Sequence, residues 1–285
     1  MDIIGNTPLI KIGKIYAKAE FLNPGGSIKD RIAKYMVEDA EKKGLLKPGF
    51  TIVEPTSGNM GIALAMVAAV KGYGMIAVMP ENASIERKQL IKAFGGEVVL
   101  TPEHKNLKAA IEKAEELCKK PGTFMPQQFK NPANIRAHRE TTAKEIMADI
   151  DKIDAFVAGT GTGGTLMGVG LALREAFPNA KIVAVEPEES AVMSGGKAGS
   201  HSIEGIGDGF VPDLVDMGLI DEIITVKSDS AMKMAKHLAR KHGLLVGISS
   251  GANVIAAKRL AKRYKNVVTV LPDRAERYLS KDLFR

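Results

Sequence analysis

Two kinds of hydrophobic pattern alternate along almost the whole chain. Short apolar runs rich in β-branched residues predict β-strands at 51–54, 75–79, 97–100, 155–158, 181–185, 222–226 and 267–271. Between them, apolar residues recur at helical spacing and predict α-helices at 38–45, 60–71, 85–94, 107–120, 139–149, 165–176, 230–242 and 253–264. Strands that alternate with helices in this way are typical of an α/β fold with parallel sheets covered on both faces.

A lysine stands at the start of a further predicted helix, directly after a glycine turn. The segment 25–30 reads GGSIKD, and apolar residues at 28, 32, 33, 36 and 37 place Lys29 in the first helical turn, with Ser27 as the N-cap. A cation at a helix N-terminus opposes the helix dipole, which lowers the pKa of the amine and favours its neutral, nucleophilic form. Lys29 is therefore a candidate for Schiff-base chemistry, although for one motif taken alone a solvated lysine in a turn is the commoner case.

Three loops of small residues are each predicted to link the end of a strand to a helix. They are 54–61 (EPTSGNMG), 159–165 (GTGTGGT) and 247–252 (GISSGA). Ligands of doubly wound sheets bind beyond the carboxyl ends of strands, so these loops are expected to face one cleft if their strands are neighbours. The 159–165 loop suits a phosphate best, because glycines let backbone amides converge at a helix N-terminus and threonines add hydroxyl donors.

The same loop supports a second interpretation. Gly159, Gly161 and Gly164 fit the G-x-G-x-x-G fingerprint of nicotinamide dinucleotide sites, and Glu186 lies about twenty residues downstream, after the next predicted strand. This interpretation leaves the lysine turn and the other two loops without a role. A dinucleotide-dependent dehydrogenase is therefore the alternative from a different class of enzyme.

The composition is that of an ordinary soluble globular protein. Among 285 residues, 45% are hydrophobic and 26% are charged, and no apolar stretch is long enough to span a bilayer. The first residues lack the pattern of a signal peptide, and Cys118 is the single cysteine. We therefore expect a cytoplasmic protein without a membrane anchor, in which Cys118 has a packing role.

The net charge of +7 raises the question of nucleic-acid binding. The densest basic stretch, 233–242, alternates charged with apolar residues as a helix with one solvated face does, and aromatic residues make up only 5% of the chain. We therefore expect small anionic substrates and no nucleic-acid partner. Apart from His237 and His242, on a helix predicted to be exposed, the histidines lack ligand spacing, which predicts no metal site.

Several motifs taken together resemble one family over essentially the whole chain. They are GNTPL (5–9), NPGGSIKDR (23–31), EPTSGN (54–59), QF (128–129), NPAN (131–134), GTGGT (161–165), EGIG (204–207), GISSG (247–251), PD (272–273) and ERY (276–278). This set is similar to the cysteine synthases, which are fold type II pyridoxal-phosphate enzymes. The resemblance implies two domains of the tryptophan synthase β-like kind, each a mainly parallel twisted sheet flanked by helices. The smaller, mobile domain would be 23–131, and the larger would combine 1–22 with 132–285.

The resemblance also implies a role for each motif. Lys29 would bind pyridoxal 5'-phosphate as a Schiff base and then act as the base that removes the substrate α-proton. The cofactor phosphate would bind to the loop of Gly161, Thr162, Gly163, Gly164 and Thr165. Asn59 would hydrogen-bond the 3-hydroxyl of the ring, and Ser249 would face the ring nitrogen, where a neutral residue suits β-elimination. The substrate would bind through Thr56, Ser57, Gly58, Met60, Gln128 and Gly205.

The implied reaction is a β-replacement. O-acetyl-L-serine loses acetate through an α-aminoacrylate intermediate, and sulfide adds to give L-cysteine. The resemblance further implies a homodimer and, as a partner, the C-terminal tail of serine acetyltransferase. The chain departs from the familiar pattern at four positions that bear on the site, namely Met60, Glu204, Asp208 and Arg274, the last beside the expected cofactor ring. Because Glu204 and Asp208 add carboxylates near the reacting carbon, cystathionine β-synthase or cysteine desulfhydrase activity is the alternative within the family.

Overall fold

A computed structural model describes residues 1–102 and 106–281, whose strands form two separate sheets. The strands are β1 (Leu9–Ile12), β2 (Ile15–Lys18), β3 (Thr51–Pro55), β4 (Gly74–Pro80), β5 (Glu97–Thr101), β6 (Thr123–Phe124), β7 (Ala155–Gly159), β8 (Lys181–Pro187), β9 (Glu222–Val226) and β10 (Val267–Val270). The α-helices are α1 (Lys29–Lys42), α2 (Asn59–Lys71), α3 (Ile85–Ala93), α4 (Asn106–Leu117), α5 (Ala133–Ala137), α6 (Ala143–Asp149), α7 (Gly164–Ala176), α8 (Ser228–His242) and α9 (Ile248–Leu260). A π-helical turn, His138–Thr142, joins α5 to α6, and a 3₁₀ segment, Ala275–Lys281, follows β10.

The larger sheet has the strand order β1-β2-β10-β7-β8-β9. Its neighbouring strands run parallel except for β1 and β2, which form an antiparallel hairpin. Along β8 the side chains alternate between two cores: Val183 and Val185 pack with α8 and α9, while Ile182 and Ala184 pack with α6 and α7. This alternation follows from the two-residue period of a strand and explains why the strand reads as a continuous apolar run.

The smaller sheet has the order β5-β4-β3-β6, with parallel pairing throughout. Helices α1 and α2 cover one face, and α4 packs against Val53 and Val78 on the other. Helix α2 is buried over nearly its whole length, because its residues are almost all apolar or small. Together with the larger sheet, this arrangement confirms the α/β class with two mainly parallel sheets flanked by helices.

The predicted elements agree with the structure in type, and their strand ends differ by two residues at most. Several features were not predicted, among them the short helix α5 and the 3₁₀ segment after β10. The β1–β2 hairpin was missed because each strand has only four residues, and the two-residue strand β6 gives too short a pattern to recognise. Helix α9 begins at Ile248, five residues earlier than predicted, so the serines of the third loop lie in its first turn.

The prediction that a strand precedes this third loop is wrong. Val246 makes only an isolated bridge to Arg274, and Gly247 is followed directly by α9. Small residues start the helix here because α9 packs closely on α8: a Cβ at Gly251 would overlap the carbonyl oxygen of Ala231. Close packing outweighs the low helix propensity of serine and glycine at this position.

In the two described ranges, no helix combines the length and the apolar character that crossing a membrane requires.

Candidate active site

Lys29 is the first residue of α1, as the sequence predicted to within one position. The N-cap is Ile28 and not Ser27, but the hydroxyl oxygen of Ser27 still accepts the backbone N–H of Lys29 at 3.3 Å. The turn before the helix requires glycine, because Gly26 has φ +81° and a Cβ there would lie 2.8 Å from the Arg277 guanidinium. The chain therefore turns sharply into the helix and presents the Lys29 side chain at the junction of the two sheets.

A buried ionic network fixes the same end of α1. Arg31 is 1% exposed, and its guanidinium bonds to Glu20 at 2.7 Å and to Glu145 at 2.5 Å. Lys18 also pairs with Glu145, at 2.9 Å. Because breaking a buried pair leaves an uncompensated charge, this network opposes any movement of the turn that carries Lys29.

Lys29 lines two adjoining cavities, and its burial favours the neutral amine. Burial lowers the pKa of Lys29 to about 8, while the carboxylates of Asp208 and Asp273 act in the opposite direction. Asp208 has no hydrogen bond or ion pair to any residue the structure describes. Desolvation by the surrounding atoms raises the pKa of the Asp208 carboxyl. The residue is nevertheless exposed to solvent where it lines the second cavity.

The glycine loop (residues 159–165) forms one end of the first cavity, between β7 and α7. Gly163 has φ +87°, and the first turn of α7 has no side-chain cap, so its backbone N–H groups are free to bind an anion. A Cβ at Gly161 would overlap the carbonyl oxygen of Gly205, and a Cβ at Gly164 would overlap the Asn134 amide. The backbone therefore reaches the cavity only because these positions lack side chains.

The first cavity opens to solvent and lies between the end of β7, the start of α7 and Lys29. It brings together every cofactor-binding residue that the sequence predicted, which are Lys29, Asn59, Gly161, Thr162, Gly163, Gly164, Thr165 and Ser249. Residues of all three small-residue loops thus meet, although the condition stated for this, that their strands are neighbours, is not fulfilled. Their strands are not neighbours: β3 and β7 belong to different sheets.

Asn59 is fixed by contacts to the C-terminal part of the chain. Its amide nitrogen donates to Asp273 at 2.7 Å, and its amide oxygen accepts from Arg277 at 2.8 Å. Asp273 also accepts the hydroxyl of Tyr278 at 2.6 Å. Because both amide atoms of Asn59 are already paired, its orientation in the cavity is set by these two partners.

The Thr56 loop (residues 56–60) forms a wall of the second cavity, between β3 and α2. The hydroxyl oxygen of Thr56 accepts the backbone N–H of Gly58 at 2.9 Å and of Gly61 at 3.3 Å, which leaves its own proton free for a ligand. This cavity contains the predicted substrate residues Thr56, Ser57, Met60, Gln128 and Gly205. Gly58 does not line it; Gly58 lies beneath Arg87, has φ +149° and supports the turn.

Gln128 reaches the second cavity from a different segment and is held from three sides. Its backbone N–H donates to Glu54 at 2.8 Å, its side chain donates to the carbonyl of Pro55 at 3.2 Å, and its carbonyl accepts from Asn134 at 2.9 Å. Burial raises the pKa of Glu54 to about 7, against two backbone hydrogen bonds that favour the carboxylate. The position of Gln128 thus depends on buried polar groups of two elements, β3 and α5.

Arg87 is a site residue that the sequence reasoning missed. It is 2% exposed, lines the second cavity, pairs with Glu204 and lies over the Tyr278 ring at 4.6 Å. Its position on an amphipathic helix, followed by another basic residue, gave no signal that separated it from a solvated charge. Arg274, by contrast, lines neither cavity: its Nε donates to the carbonyl of Phe21 at 2.9 Å.

The dinucleotide interpretation has no support in the structure. Glu186, its proposed ribose ligand, is 2% exposed and accepts the backbone N–H groups of Met193 at 2.8 Å and Ser194 at 3.0 Å. Cys118 is partly buried against the apolar core between β3 and α4. Over residues 1–102 and 106–281, no group of three or more potential metal ligands comes together; His104 lies outside these ranges.

A desolvated lysine beside an anion-binding loop is typical of pyridoxal-phosphate dependent enzymes, and comparison with known proteins agrees with this class. The family of pyridoxal-phosphate dependent enzymes matches residues 1–273, and the chain belongs to it. Among curated relatives, the cysteine synthase of Staphylococcus aureus strain Mu50 is 51% identical over 296 residues, which cover 99% of this chain and 96% of the relative.

Solved structures of similar enzymes share the whole fold. An O-ureido-L-serine synthase superposes with a TM-score of 0.96 at 47% identity, covering 99% of this chain and 93% of the other. The cysteine synthase of Entamoeba histolytica gives a TM-score of 0.95 at 42% identity, covering 99% of this chain and 89% of the other. These coverages leave no large part of either neighbour without a counterpart here.

The residues present fit pyridoxal phosphate. A phosphate needs converging donors without a fixed cation, and the glycine loop offers free backbone N–H groups and two threonine hydroxyls. A Schiff base needs an amine that readily becomes neutral, and Lys29 meets this condition in the same cavity. Ser249 adds a neutral hydroxyl on the cavity wall.

Proposed function

We propose that the protein catalyses the β-replacement of O-acetyl-L-serine by sulfide, giving L-cysteine and acetate. The observation that carries the proposal is the place of Lys29 on the shared boundary of two cavities, one with anion-binding loop geometry and one lined by hydroxyl and amide donors. The similarity to cysteine synthases over the full chain supports the choice of reaction.

We assign cofactor binding to Lys29 and the glycine loop. When bound, pyridoxal phosphate supplies an electron-accepting ring that stabilises the negative charge left at the substrate α-carbon. Lys29 Nζ then takes the α-proton, for which a pKa near 8 is well matched to neutral pH. Asn59 would hold the ring through its fixed amide, and Ser249 would offer the ring a neutral partner that adds no charge to it.

We assign the substrate carboxylate to the second cavity. The free proton of the Thr56 hydroxyl, the exposed Ser57 and the amide of Gln128 are donors on its walls. Met60 is 1% exposed and contributes an apolar surface where the family pattern has a hydroxyl. Gly205 completes the wall and, without a side chain, leaves room for the β-substituent.

The charges of this cavity favour an acetyl over a phosphoryl leaving group. Arg87, its one other cation among the described lining residues, is already paired with Glu204. Asp208 adds a carboxylate that makes no hydrogen bond or ion pair in the described ranges, although Lys29 and His201 attract it electrostatically. A phosphoryl group carries about −2 at neutral pH and would be repelled by this carboxylate, whereas the neutral acetyl ester would not be repelled.

A second candidate nucleophile is an amino acid that carries a thiol, as in cystathionine β-synthase or cysteine desulfhydrase activity. The free Asp208 carboxylate favours it, because a carboxylate can bind the ammonium group of such a substrate or accept a thiol proton. Product analysis with sulfide, cysteine or homocysteine as the second substrate separates these activities.

We also propose that the two sheets belong to separate domains, 23–131 and 1–22 with 132–285. The strands of the smaller sheet all lie between Thr51 and Phe124, within the first range. A homodimer, a cytoplasmic location and docking of the C-terminal tail of serine acetyltransferase are proposals that rest on the family resemblance alone.

The test is an assay with O-acetylserine and sulfide. It compares the purified wild-type holoenzyme with the variants Lys29→Ala and Lys34→Ala. Lys34 lies on the same helix, outside both cavities, and serves as the matched control. We expect cysteine and acetate in equal amounts from wild type and Lys34→Ala, and at least about a thousandfold less from Lys29→Ala. Turnover by Lys29→Ala close to that of the control, or no cysteine from wild type, would contradict the proposal.

A further inference from the structure

Two buried polar side chains contact the two cavity-lining threonines of the glycine loop, Thr162 and Thr165, from outside the cavity. Asn134 on α5 and His138 in the π-helical turn lie one helical turn apart, and both are 0% exposed. The Asn134 amide lies 2.9 Å from the hydroxyl oxygen of Thr162, and His138 Nε2 lies 3.2 Å from that of Thr165. Neither Asn134 nor His138 lines either cavity, so each can act on a ligand only through the threonine that it contacts.

Two glycines on α7 allow Asn134 and His138 to pack closely against this helix. A Cβ at Gly164 would overlap the Asn134 amide, and a Cβ at Gly168, one turn later, would lie 2.7 Å from the His138 Cβ. The two glycines thus have the same spacing as the two polar residues. Such matched spacing indicates a close contact between α7 and the α5–π segment. His138 lies at the start of the π turn, and such turns commonly mark functional positions.

The direction of the Asn134 hydrogen bonds follows from its second partner. Its amide nitrogen donates to the carbonyl oxygen of Gln128 at 2.9 Å, and a carbonyl can only accept. The same nitrogen therefore donates to the Thr162 hydroxyl oxygen. Because the Thr162 oxygen is an acceptor there, its proton is left to point into the cavity that Thr162 lines.

His138 sets up the corresponding arrangement at Thr165. Burial, together with the nearby cations Arg31 and Lys29, holds the pKa of His138 well below its usual value, so the ring is neutral. His138 Nδ1 lies 2.9 Å from the hydroxyl oxygen of Thr142. When Thr142 donates to Nδ1, the ring proton is on Nε2, which donates to Thr165 and frees the Thr165 proton for the cavity.

We propose that Asn134 and His138 are positioning residues that turn the hydroxyl groups of Thr162 and Thr165 into donors to the cofactor phosphate, and that Asn134 also holds Gln128 of the substrate cavity. The first part depends on the cofactor of the family and not on the proposed reaction. The second part rests on the proposed function, since it concerns the substrate of that reaction.

The first test is a double-mutant cycle on cofactor affinity. His138→Met, Thr165→Val and the double variant are titrated with pyridoxal phosphate and, separately, with pyridoxal, which lacks the phosphate. We expect each single variant to weaken pyridoxal phosphate binding about tenfold, with little change for pyridoxal. In the Thr165→Val background His138→Met should have no further effect.

An equal loss from His138→Met in both backgrounds, or an equal loss for pyridoxal, would show a merely structural role and overturn the proposal. His138→Gln keeps a donor at the position of Nε2, and we expect it to restore affinity. If His138→Met does not fold, the cycle of Asn134→Ala with Thr162→Val decides the question by the same criterion.

The second test separates the two residues by their effect on substrate. Asn134→Ala should raise KM for O-acetylserine several-fold at saturating cofactor, because Gln128 loses a donor, while His138→Gln should not. Equal KM values for the two variants would contradict the link to Gln128. A wild type that binds cofactor but does not turn over O-acetylserine would contradict the proposed function and leave the affinity cycle intact.

Discussion

The glycine loop and the Thr56 loop have equivalent places, each between a parallel strand and a helix, yet they are held in opposite ways. The glycine loop is packed by residues of the same range, 132–285: Asn134 and the carbonyl of Gly205 touch it directly. The Thr56 loop is held by contacts between the smaller sheet and distant segments, because Asn59 bonds to Asp273 and Arg277.

This difference separates a fixed site from an adjustable one. The direct contacts of the glycine loop with Asn134 and Gly205 lie within 132–285 and are preserved if the two sheets move relative to each other, so the phosphate site stays formed. The contacts of Asn59, and the pair between Arg87 and Glu204, depend on that relative position. We therefore expect changes in the glycine loop to affect the cofactor, and changes at residues 56–58 to affect the substrate, whereas Asn59 lines the cofactor cavity as well.

The largest effect is expected from Gly161→Ala. The new Cβ would overlap the backbone carbonyl of Gly205, which cannot rotate away as a side chain can. We expect affinity for pyridoxal phosphate to fall about a hundredfold, measured by equilibrium titration. Gly218→Ala is the control and should leave affinity unchanged, because Gly218 is exposed, has no left-handed φ and would place its Cβ near the Asp216 side chain only, at 3.1 Å. Near-normal affinity in Gly161→Ala would mean that the loop is not fixed.

A smaller and different effect is expected from Gly58→Ala. Here the added Cβ would overlap the Arg87 side chain, which can move, although the φ of +149° adds strain. We expect KM for O-acetylserine to rise about tenfold, with cofactor affinity changed less than about twofold. Steady-state kinetics at saturating cofactor measure the first quantity. A loss of cofactor affinity as large as in Gly161→Ala would contradict the conclusion that the two loops affect different ligands.

The pH dependence of cofactor uptake tests Lys29, which lies between the two loops. Because only the neutral amine reacts, uptake by the cofactor-free protein should rise with pH around a midpoint near 8. The Asp208 carboxylate raises the pKa of Lys29, so Asp208→Asn should move this midpoint to lower pH. An unchanged or higher midpoint would contradict the assigned coupling.

The same shift has a consequence for stability. The folded pKa of Lys29 lies below the unfolded value of 10.5, so the unfolded chain binds more protons between about pH 8 and 10.5. The contribution of Lys29 to the free energy of unfolding therefore increases with pH through this window, and is smallest below pH 8. Denaturant titrations of wild type and Lys29→Met at several pH values measure it.

The smallest effect is expected from Glu204→Gln, which removes the ion pairs with Arg87 and Lys281. Glu204 keeps 22% of its surface exposed, and the buried Arg87 guanidinium keeps its contact with the Tyr278 ring at 4.6 Å when the pair is lost. We therefore expect KM for O-acetylserine to change by about threefold or less, and less still at high salt. Glu188→Gln breaks an exposed pair with Lys227 elsewhere and is the control. A tenfold or larger change, independent of salt, would show that this pair controls substrate access.

The sequence predicted the elements well where periodicity was long and regular, as in α7 or β8. It also placed Lys29 and the glycine loop, because glycine turns and helix starts are local features. Arg87, Asn134 and His138 act through contacts with residues distant in sequence, for which no local pattern exists. The third loop shows the opposite limit: serine and glycine at 249–251 read as a loop, yet close packing on α8 makes them helical.

The most direct test of the central claim is the visible absorption of the purified holoenzyme on addition of O-acetylserine without sulfide. The proposed function predicts that the cofactor band moves to longer wavelength, that acetate is released in an amount equal to the sites, and that sulfide restores the original band with one cysteine formed per site. A band that ignores O-acetylserine but responds to O-phosphoserine, serine or cysteine would contradict the proposed substrate and leave the cofactor assignment in place.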